Sequence, residues 1–432
     1  MDNFPVNLNM KSICILLHNP YEIDVRVTRK AEALVSAGYE VDILALRSKY
    51  SKSKDYELDG MHVYTIALGK KRGSLIRYAF EYLIFFLWAF YKVSVLHNKK
   101  KYAVIDVNNL PDFLVFAAAY AKWRGAKIVF DMHEVTPEFY ISKYGIRPNS
   151  WVVRILEYVE RKSFNFADFV ININHTIEDV LVKRGLRRSK STIIMNCVDE
   201  EFFLASKTSD SPAGPQVPQP AFVMMYHGTV THIYGLDVAI RGFAKVHQDM
   251  PGAEFWILGT GTEHKPLQLL TEELGLTSKV RFLGLVRPQE ILQWLKRCDI
   301  GVLATRQDIF LDLSFSGKLS EYIIMGKAVI ASRLRTIRYY FSEDALAFFE
   351  PHNPSDLTNQ MLVLYRDPAR RHRMAEKALQ EYAPIRWSIM KQRYLQLMAD
   401  ATGMGSDPQP KMSTSPKSTA EMVPVDGSAA PQ

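Results

Sequence analysis

The chain alternates short apolar runs with segments in which apolar residues recur every three or four positions. Apolar runs of this length, bounded by turn residues, predict buried strands, and the second pattern predicts helices. Strands that alternate with helices in this way form a parallel sheet covered on both faces. The predicted strands are 12–17, 39–46, 63–67, 103–107, 127–130, 169–173, 222–226, 254–258, 280–283, 300–304 and 328–331.

The alternation is interrupted once, near Leu204. Residues 206–220 are rich in Ser, Pro, Gly and Gln, which is typical of a linker. We therefore predict an α/β protein with two Rossmann-like, doubly wound parallel-sheet domains whose strand ends face each other across a cleft. The predicted parts are an N-terminal domain (11–203), a linker (204–220), a C-terminal domain with its closing helix (221–402) and a disordered tail (403–432).

The composition narrows the functional classes. The cysteines, Cys14, Cys197 and Cys298, form no Cys-x-x-Cys pair, which argues against a disulfide framework or a zinc site and fits a reducing compartment. The formal net charge is +8, and basic proteins meet nucleic acid, anionic membranes or phosphorylated ligands. Because the sequence has neither zinc-finger spacing nor an RNA-binding aromatic signature, we expect no nucleic-acid partner.

One segment raises the question of a membrane. Residues 76–96 are rich in Phe, Tyr, Leu and Trp and lie between the basic clusters 70–72 and 99–101. The unbroken apolar part runs only from Tyr82 to Tyr91, whereas a spanning helix needs about 20 predominantly apolar residues. Two interpretations remain: a helix buried in the domain, or a helix that lies on the membrane surface with its lysines on anionic lipid.

Two polar stretches lie where parallel sheets bind ligands, beyond the carboxyl ends of strands. The stretch 131–134 follows one predicted strand, and the stretch 314–321 comes after the strand at 300–304. Lys318 and Glu321 are three positions apart, so they share one face of a short helix. The free amides at a helix start, together with a lysine, could bind a diphosphate, and a nearby carboxylate could bind a ribose diol. Together these groups would form a nucleotide site. The spacing by itself is more often that of a solvated Lys–Glu pair.

A set of motifs in a fixed order connects these stretches to a known family. In chain order they are Ile23-Asp24-Val25-Arg26-Val27, Asp131-Met132-His133-Glu134 with Pro137-Glu138, Asn196-Cys197-Val198-Asp199, Leu258-Gly259-Thr260-Gly261, and Gly317-Lys318-Leu319-Ser320-Glu321-Tyr322 followed by Met325-Gly326-Lys327. Residues 11–400 resemble the retaining nucleotide-sugar glycosyltransferases of family four, which have the GT-B fold. The N-terminal motif is similar to the family's signature in enzymes of cell-surface polysaccharide synthesis.

The resemblance implies transfer of a sugar, with retention, from a nucleotide-sugar donor to a glycan or lipid-linked acceptor. It places the reaction in surface polysaccharide or glycolipid synthesis, and the enzyme in the cytoplasm or peripherally on the inner face of the cell membrane. No metal or other cofactor is expected, and the sequence has no Asp-x-Asp metal motif. An anionic membrane surface is a further expected partner.

The resemblance also assigns residues. Glu321 would hold the ribose hydroxyls, and His133 would approach the transferred sugar. The loop 284–286 would meet the base through its backbone. The backbone amides of Ser316 and Gly317, helped by Lys318, would meet the diphosphate. The expected donor-binding residues are Gly284, Leu285, Val286, Arg306, Ser316, Gly317, Lys318 and Glu321; the catalytic residues are His133, Lys318 and Glu321; the acceptor- or sugar-side residues are Arg26, Asp131 and Glu134.

The sequence departs from the family pattern at the sugar side. Leu313 stands where the family has a carboxylate eight positions before Glu321, and the usual Arg and Lys pair after the first C-terminal strand is missing. Arg26, Arg306 and Lys318 are the cations that could replace that pair. Two alternatives therefore stay open: a non-catalytic GT-B scaffold or partner subunit of a glycan assembly complex, and a nucleotide-sugar epimerase of similar fold.

Overall fold

A computed structural model describes residues 11–49, 51, 53–68, 75–207 and 218–404. Two twisted sheets form two domains, as the alternation of strands and helices predicted. The predicted linker lies largely, and the predicted disordered tail almost entirely, outside the described residues.

The N-terminal domain is built on an eight-stranded sheet with the order β3-β4-β2-β1-β5-β6-β7-β8. All neighbouring strands are parallel except β3, which runs antiparallel to β4 and had no clear signal in the sequence. The strands are β1 (Ser12–Pro20), β2 (Glu40–Leu46), β3 (Asp55–Leu58), β4 (Met61–Ile66), β5 (Val104–Asn108), β6 (Lys127–Met132), β7 (Phe169–Asn172) and β8 (Ser191–Ile193).

Seven α-helices belong to the described part of this domain, and several begin at side chains that bond free amides. Asp24 accepts from the amide of Val27, and Asn174 accepts from the amide of Ile177. The helices are α1 (Val25–Ser36), α2 (Leu75–Lys100), α3 (Ala119–Trp123), α4 (Thr136–Tyr144), α5 (Trp151–Phe166), α6 (His175–Lys183) and α7 (Glu200–Lys207), and a 3-10 helix (Asp112–Ala118) precedes α3.

The C-terminal domain has a fully parallel six-stranded sheet with the order β11-β10-β9-β12-β13-β14. Its strands are β9 (Phe222–His227), β10 (Ala253–Leu258), β11 (Val280–Gly284), β12 (Ile300–Leu303), β13 (Ala328–Ser332) and β14 (Ala347–Phe349). Its helices are α8 (Leu236–Ala244), α9 (His264–Glu273), α10 (Pro288–Arg297), α11 (Gly317–Ile324), α12 (Arg335–Tyr340), α13 (Pro354–Arg366), α14 (Pro368–Tyr382) and α15 (Trp387–Thr402).

Two helices, α14 and α15, stand where the sequence predicted one closing helix. A 3-10 turn at Ala383–Ile385 separates α14 from α15, because Pro384 cannot continue the hydrogen bonding of a helix. The second helix, α15, packs on α1, β5 and β8 of the N-terminal domain. The closing helix predicted as part of the C-terminal domain therefore lies on the N-terminal one, and α7 extends four residues into the predicted linker.

Each sheet reverses its strand order at one point, and these points face the cleft. In the first sheet the reversal falls between β1 and β5, and in the second between β9 and β12. Loops diverge to opposite faces at such a point, which opens a crevice at the carboxyl ends of the strands. The segments that follow β5 and β6 on one side, and β9 and β12 on the other, therefore form the cleft.

The contact of α15 with the N-terminal sheet should contribute measurably to stability. The buried hydroxyl of Tyr394 donates to the Oδ2 atom of Asp106, at 2.8 Å. We expect Tyr394→Phe to lower the free energy of unfolding by about 1–2 kcal/mol, because a buried acceptor loses its partner. Urea denaturation would measure this. Tyr365→Phe is the matched control, because the Tyr365 hydroxyl donates to the carbonyl of Pro251 at an exposed position and its loss should cost little. An equal loss of stability in both variants would contradict the expectation.

Candidate active site

Two cavities lie at the facing strand ends. The first, which we call the donor cavity, has a volume of about 380 Å³ and belongs wholly to the C-terminal domain. Its lining consists of His227, Gly228, Thr229, Leu258, Gly259, Thr260, Leu285, Val286, Ile291 and Glu321. The second, which we call the interdomain cavity, has a volume of about 250 Å³ and is lined from both domains.

Glycines allow the loops around the donor cavity to approach each other closely. Gly259 has a φ of +126°, and a side chain there would place its Cβ 1.8 Å from the carbonyl oxygen of Gly228. Its amide donates to the carbonyl of Gly284, at 2.6 Å. The Gly259-Thr260-Gly261 segment is thus a tight turn between strand and helix that borders the donor cavity, and His264 stands where a third glycine would complete a dinucleotide fingerprint.

Glu321 brings a carboxylate to the wall of the donor cavity from the first turns of α11. Its Oε2 atom lies 3.3 Å from Nε2 of the buried His227. Burial raises the pKa of Glu321 from 4.5 to about 7, although Lys318 partly opposes the shift. Burial and the charge of Lys318 lower the pKa of His227 to about 3, so this histidine is neutral and contributes no positive charge.

Lys318 lies between the two cavities. Its Nζ atom is 4.2 Å from the ring centroid of Tyr234, which lines the interdomain cavity, and 5.7 Å from that of Tyr226. Its Cε atom occupies the space that a Cβ at Gly228 would need, at 2.3 Å. The lysine therefore sits over the carboxyl end of β9, and the two rings attract its charge without neutralising it.

The interdomain cavity has a polar wall and an apolar wall. His133, Glu134 and Asn196 supply polar groups from the N-terminal domain. The opposite side includes the apolar side chains Ile233, Leu303, Phe310, Leu311, Leu313, Phe315, Leu319, Leu334 and Ile337, together with Ser314 and Ser316. A small, mostly apolar space with a few convergent polar groups is the usual form of a binding site.

His133 is buried and neutral. Burial, with Arg26 and Lys30 nearby, holds the pKa of His133 well below its usual range. Its Nε2 atom lies 2.8 Å from Oδ1 of Asn108 and 3.5 Å from Oδ2 of Asp131, and both of these oxygens only accept hydrogen bonds. The proton must then reside on Nε2, so Nδ1, near which the side chain of Asn196 lies, keeps a lone pair that can accept a hydrogen bond.

Asn109 holds the histidine loop in place, and the sequence analysis did not single it out. Its Oδ1 accepts from the amides of His133 and Glu134, at 2.8 and 3.3 Å, while its Nδ2 donates to the Glu134 carbonyl at 2.8 Å. Asn108 and Asn109 stand at the carboxyl end of β5, so the rule that selected residues 131–134 could also have selected them.

Glu134 lines the cavity, and burial raises the pKa of this carboxyl to about 7. The positive charges of Arg26 and Lys143 oppose that shift. Arg26 itself is paired with Asp24, at 3.1 Å, and so reaches Glu134 by its field and not by a hydrogen bond. Both residues thus lie on the predicted acceptor side.

Asp131 does not reach the cavity. It is completely buried and forms an ion pair with the equally buried Lys30 of α1. Its distance of 3.5 Å from Nε2 of His133 makes it a support for that ring. Asp131, which was predicted on the acceptor or sugar side, thus lies behind His133 and not at the cavity wall, because a lysine 101 residues away in the sequence occupies its carboxylate.

Arg306 also has another partner. Its guanidinium forms an ion pair with Asp237 at 2.7 Å and donates to the carbonyl of His232 at 3.1 Å. It lines neither cavity. Arg306 was predicted as a diphosphate cation, but in this arrangement it is not available for that role. The arginine instead connects the loop after β9 to α8.

The remaining predicted donor residues lie around α11 and after β11. Ser316 precedes α11 and lines the interdomain cavity, and Gly317 begins the helix with no side chain over its amide. Leu285 and Val286 line the donor cavity, whereas Gly284 lies just behind them and bonds the amide of Gly259.

Leu313 marks the point where the domains touch. Its side chain packs into a cluster made otherwise of N-terminal residues, and its carbonyl accepts from Nδ2 of Asn174 at 2.8 Å. The neighbouring carboxylate, Asp312, points away and bonds the amide of Arg335 at 2.8 Å. Where the family pattern has a carboxylate, this site has an apolar contact between the domains.

No group of three or more His, Cys, Asp or Glu side chains in the described ranges is arranged to hold a metal ion.

Comparison with known proteins gives the family. Residues 23–202 match the model described as Glycosyltransferase Family 4, and residues 221–367 match the one described as Glycosyl transferases group 1. The chain belongs to the family-four glycosyltransferases with the GT-B fold, and related proteins act in polysaccharide and glycolipid synthesis.

Individual similarities are distant. The chain is 23% identical over 397 residues to D-inositol 3-phosphate glycosyltransferase 1 of Catenulispora acidiphila, covering 88% of this chain and 90% of that protein. It is 27% identical over 179 residues to the lipopolysaccharide core biosynthesis glycosyltransferase LpsD of Rhizobium meliloti, covering 40% and 49%. The structure of Anabaena HepE in complex with UDP superposes with a TM-score of 0.65 and 14% identity, covering 90% of this chain and 100% of that one.

The raised pKa of Glu321 makes a prediction about stability. Below pH 4.5 the carboxyl is protonated in both the folded and the unfolded chain, so it has no effect there. Above pH 7 the folded state must hold a desolvated charge, so the group destabilises the fold progressively as the pH rises from about 4.5 to 7. We expect Glu321→Gln to stabilise the ligand-free protein by on the order of 2 kcal/mol at alkaline pH and little at acid pH.

Chemical denaturation across this pH range would measure the difference. Glu272→Gln, at an exposed position on α9, is the matched control and should change stability little at any pH. A difference between Glu321→Gln and the wild type that does not depend on pH would contradict the assignment.

Proposed function

We propose that the protein transfers a sugar from a nucleotide-sugar donor to a glycan or lipid-linked acceptor, with retention of the anomeric configuration. The reaction serves surface polysaccharide or glycolipid synthesis. The observation that carries this proposal is Glu321, a partly desolvated carboxylate on the wall of a cavity at the strand-order reversal of the C-terminal sheet. Retention rests on the family resemblance, and the reaction needs no metal in this proposal.

The donor cavity suits the nucleoside part of the donor. Glu321 can accept hydrogen bonds from both hydroxyls of a ribose, which favours its ionised form. The backbone at Leu285 and Val286 can meet the edge of a base. The diphosphate then extends toward the start of α11, where Ser316 lines the interdomain cavity, Gly317 begins the helix and the ammonium of Lys318 lies near Tyr234.

The sugar occupies the interdomain cavity in this arrangement. As its bond to the diphosphate breaks, the electron pair leaves with the phosphate oxygen and positive charge develops on the sugar. Lys318 and the α11 amides stabilise the growing charge on the leaving group. The acceptor hydroxyl forms the new bond on the same face, and its proton passes to the departing diphosphate. The neutral His133 accepts a hydrogen bond from the sugar and orients it.

The proposed setting is the cytoplasmic face of the membrane, with the protein bound peripherally. By length and composition the helix segment Phe80–Lys100 could cross a membrane. However, Phe85, Ala89 and Val93 of α2 are fully buried in the domain core, so this helix cannot span a bilayer while the domain is folded. The opposite face of α2 exposes Phe80 and Leu87, which supports adsorption to a lipid surface.

A non-catalytic scaffold is the second candidate. Two observations favour it: Leu313 occupies the position of a sugar-side carboxylate, and Arg306 is held by Asp237 instead of facing the donor. Such a protein would bind a nucleotide sugar without turning it over and would form a stable complex with a partner. The two candidates therefore differ in turnover and not in donor binding.

Donor binding provides the first test. In a panel of nucleotide sugars that includes UDP-glucose, we expect calorimetric binding of at least one, and Glu321→Ala should weaken it at least tenfold, because two hydroxyls lose a charged acceptor. Glu272→Ala is the control and should bind as the wild type does. Binding should also weaken as the pH falls below about 7, where Glu321 becomes protonated. An absence of binding across the panel would refute the proposal.

Turnover provides the second test. With an identified donor and acceptor, we expect His133→Ala to lower kcat by roughly tenfold to a hundredfold and to change donor affinity little, because the ring contacts only the sugar side. Release of the nucleoside diphosphate would be measured. If the wild type binds donor without releasing product and copurifies with a glycan-assembly protein, the scaffold is correct; robust transfer by the isolated chain excludes it.

A further inference from the structure

The outer face of α5 carries an apolar stripe that the proposed reaction does not use. Trp151, Ile155 and Tyr158 are 73%, 51% and 54% exposed, and their spacing of four and three residues places them on one side of the helix. Aromatic side chains of this size are rarely left in water in such a row without a partner. The described chain supplies no cover for this stripe.

The stripe lies on the same layer of the domain as α2. Both helices pack on the 3-10 helix at 112–118, and Phe85 of α2 and Phe164 of α5 belong to one buried cluster. Ring contacts connect the layer, with Phe86 and Phe113 at 5.8 Å and Phe116 and Phe166 at 5.1 Å. Since both helices bury one face against the same side of the sheet, their outer faces point away from it together.

The outer face of α2 has the same character as that of α5. Phe80, Leu83, Leu87 and Tyr91 are all at least half exposed, and they recur every three or four residues. Between the two helices, at the end of α3, Trp123 is 78% exposed. Three neighbouring helices of one layer thus present large amphipathic or apolar side chains on the same surface.

The exposed charges on this surface are mostly positive. The exposed charged residues of the described parts of α2, α3 with its cap residue, and α5 are Arg77, which pairs with Glu81 of the same helix, and Lys99, Arg124, Arg154, Arg161 and Lys162. Glu157 is the partly exposed acidic residue of α5, and Arg184 lies 3.4 Å from it. Basic side chains interleaved with aromatic and aliphatic ones match a bilayer whose headgroups are anionic.

We propose that α5 and the end of α3 form, together with α2, one docking face for an anionic lipid surface. Two helices lying in the same plane fix the orientation of a bound domain, whereas a single helix would allow it to rotate about that helix. Charge selects this occupant over a second copy of the chain, since two such faces brought together would repel each other.

The docking face lies beside the acceptor side of the site. Helix α4 packs on α5 and begins directly after the loop that holds Glu134 in the interdomain cavity. The side chain of Tyr140 of α4 is also bonded to Tyr82 of α2. Resting on the proposed function, this placement lets an acceptor carried by a lipid reach Glu134 while its lipid part stays in the bilayer.

Vesicle sedimentation with the full chain tests the face. We expect binding to phosphatidylcholine vesicles that contain phosphatidylglycerol, weaker binding to pure phosphatidylcholine, and release at high salt. The variant W151A/I155A/Y158A should weaken the partition at least tenfold, because three inserted side chains are lost. The variant R154Q/R161Q/K162Q should weaken it on the order of a hundredfold, since each basic residue contributes roughly fivefold.

Matched controls lie on the C-terminal domain. L269A/L379A removes two exposed leucines, and K265Q/R338Q/R370Q removes three exposed basic residues. Both controls should bind vesicles as the wild type does. In vesicles with brominated acyl chains, Trp151 should be quenched, and the W151F variant should lose that part of the quenching.

Several results would overturn the proposal. Wild-type binding by both α5 variants would exclude α5 from the face, even if α2 variants lost binding. A wild-type dimer in solution that the α5 variants convert to a monomer would assign the face to a second copy instead. Because the α5 variants leave the donor cavity intact, they should bind nucleotide sugar normally, so failure of this proposal is distinct from failure of the proposed function.

Discussion

The close approach of α11 to the end of β9 is the contact on which the rest of the site depends. Lys318 can lie over β9 only because Gly228 has no side chain, and Gly259 must be equally bare for the next loop to meet Gly228. This packing carries Glu321 against the buried His227, where desolvation raises the pKa of the carboxyl. Ionising this carboxylate is costly in the empty protein because it is desolvated. Two ligand hydroxyls that bond to it would offset that cost, so the desolvation of the empty site favours ligand binding.

A second buried network links the two ends of the chain to the histidine. Tyr394 of α15 donates a hydrogen bond to Asp106. Burial and the negative charge of Asp131 raise the pKa of Asp106 to about 7. Lys30 of α1 pairs with Asp131, which lies beside His133. Buried charges of this kind seldom add net stability compared with apolar packing. Their value here is positional, because they fix the ring of His133 and tie the last helix to the strands beneath the cleft.

Much of the architecture followed from local patterns. Eleven strands and the cap at Asn174 could be predicted, since burial between helices makes a strand uniformly apolar and a capping side chain acts within a single turn. The short strands β3, β8 and β14 were missed, because edge strands of three or four residues carry too few positions to establish a period. The break between α14 and α15 could have been read from Pro384.

The sequence by itself determined which stretches face the cleft, because the carboxyl ends of parallel strands meet at one edge wherever a βα pattern repeats. It also determined that Lys318 and Glu321 share a helix face. The tertiary structure alone decided which charged groups remain available to a ligand. Lys30 takes Asp131 and Asp237 takes Arg306, whereas Glu321 lines the donor cavity and Lys318 lies against Gly228 at its edge, held by aromatic rings and not by a carboxylate. Partners separated by as many as 101 residues leave no periodic signal, and only folding brings them within a few ångströms.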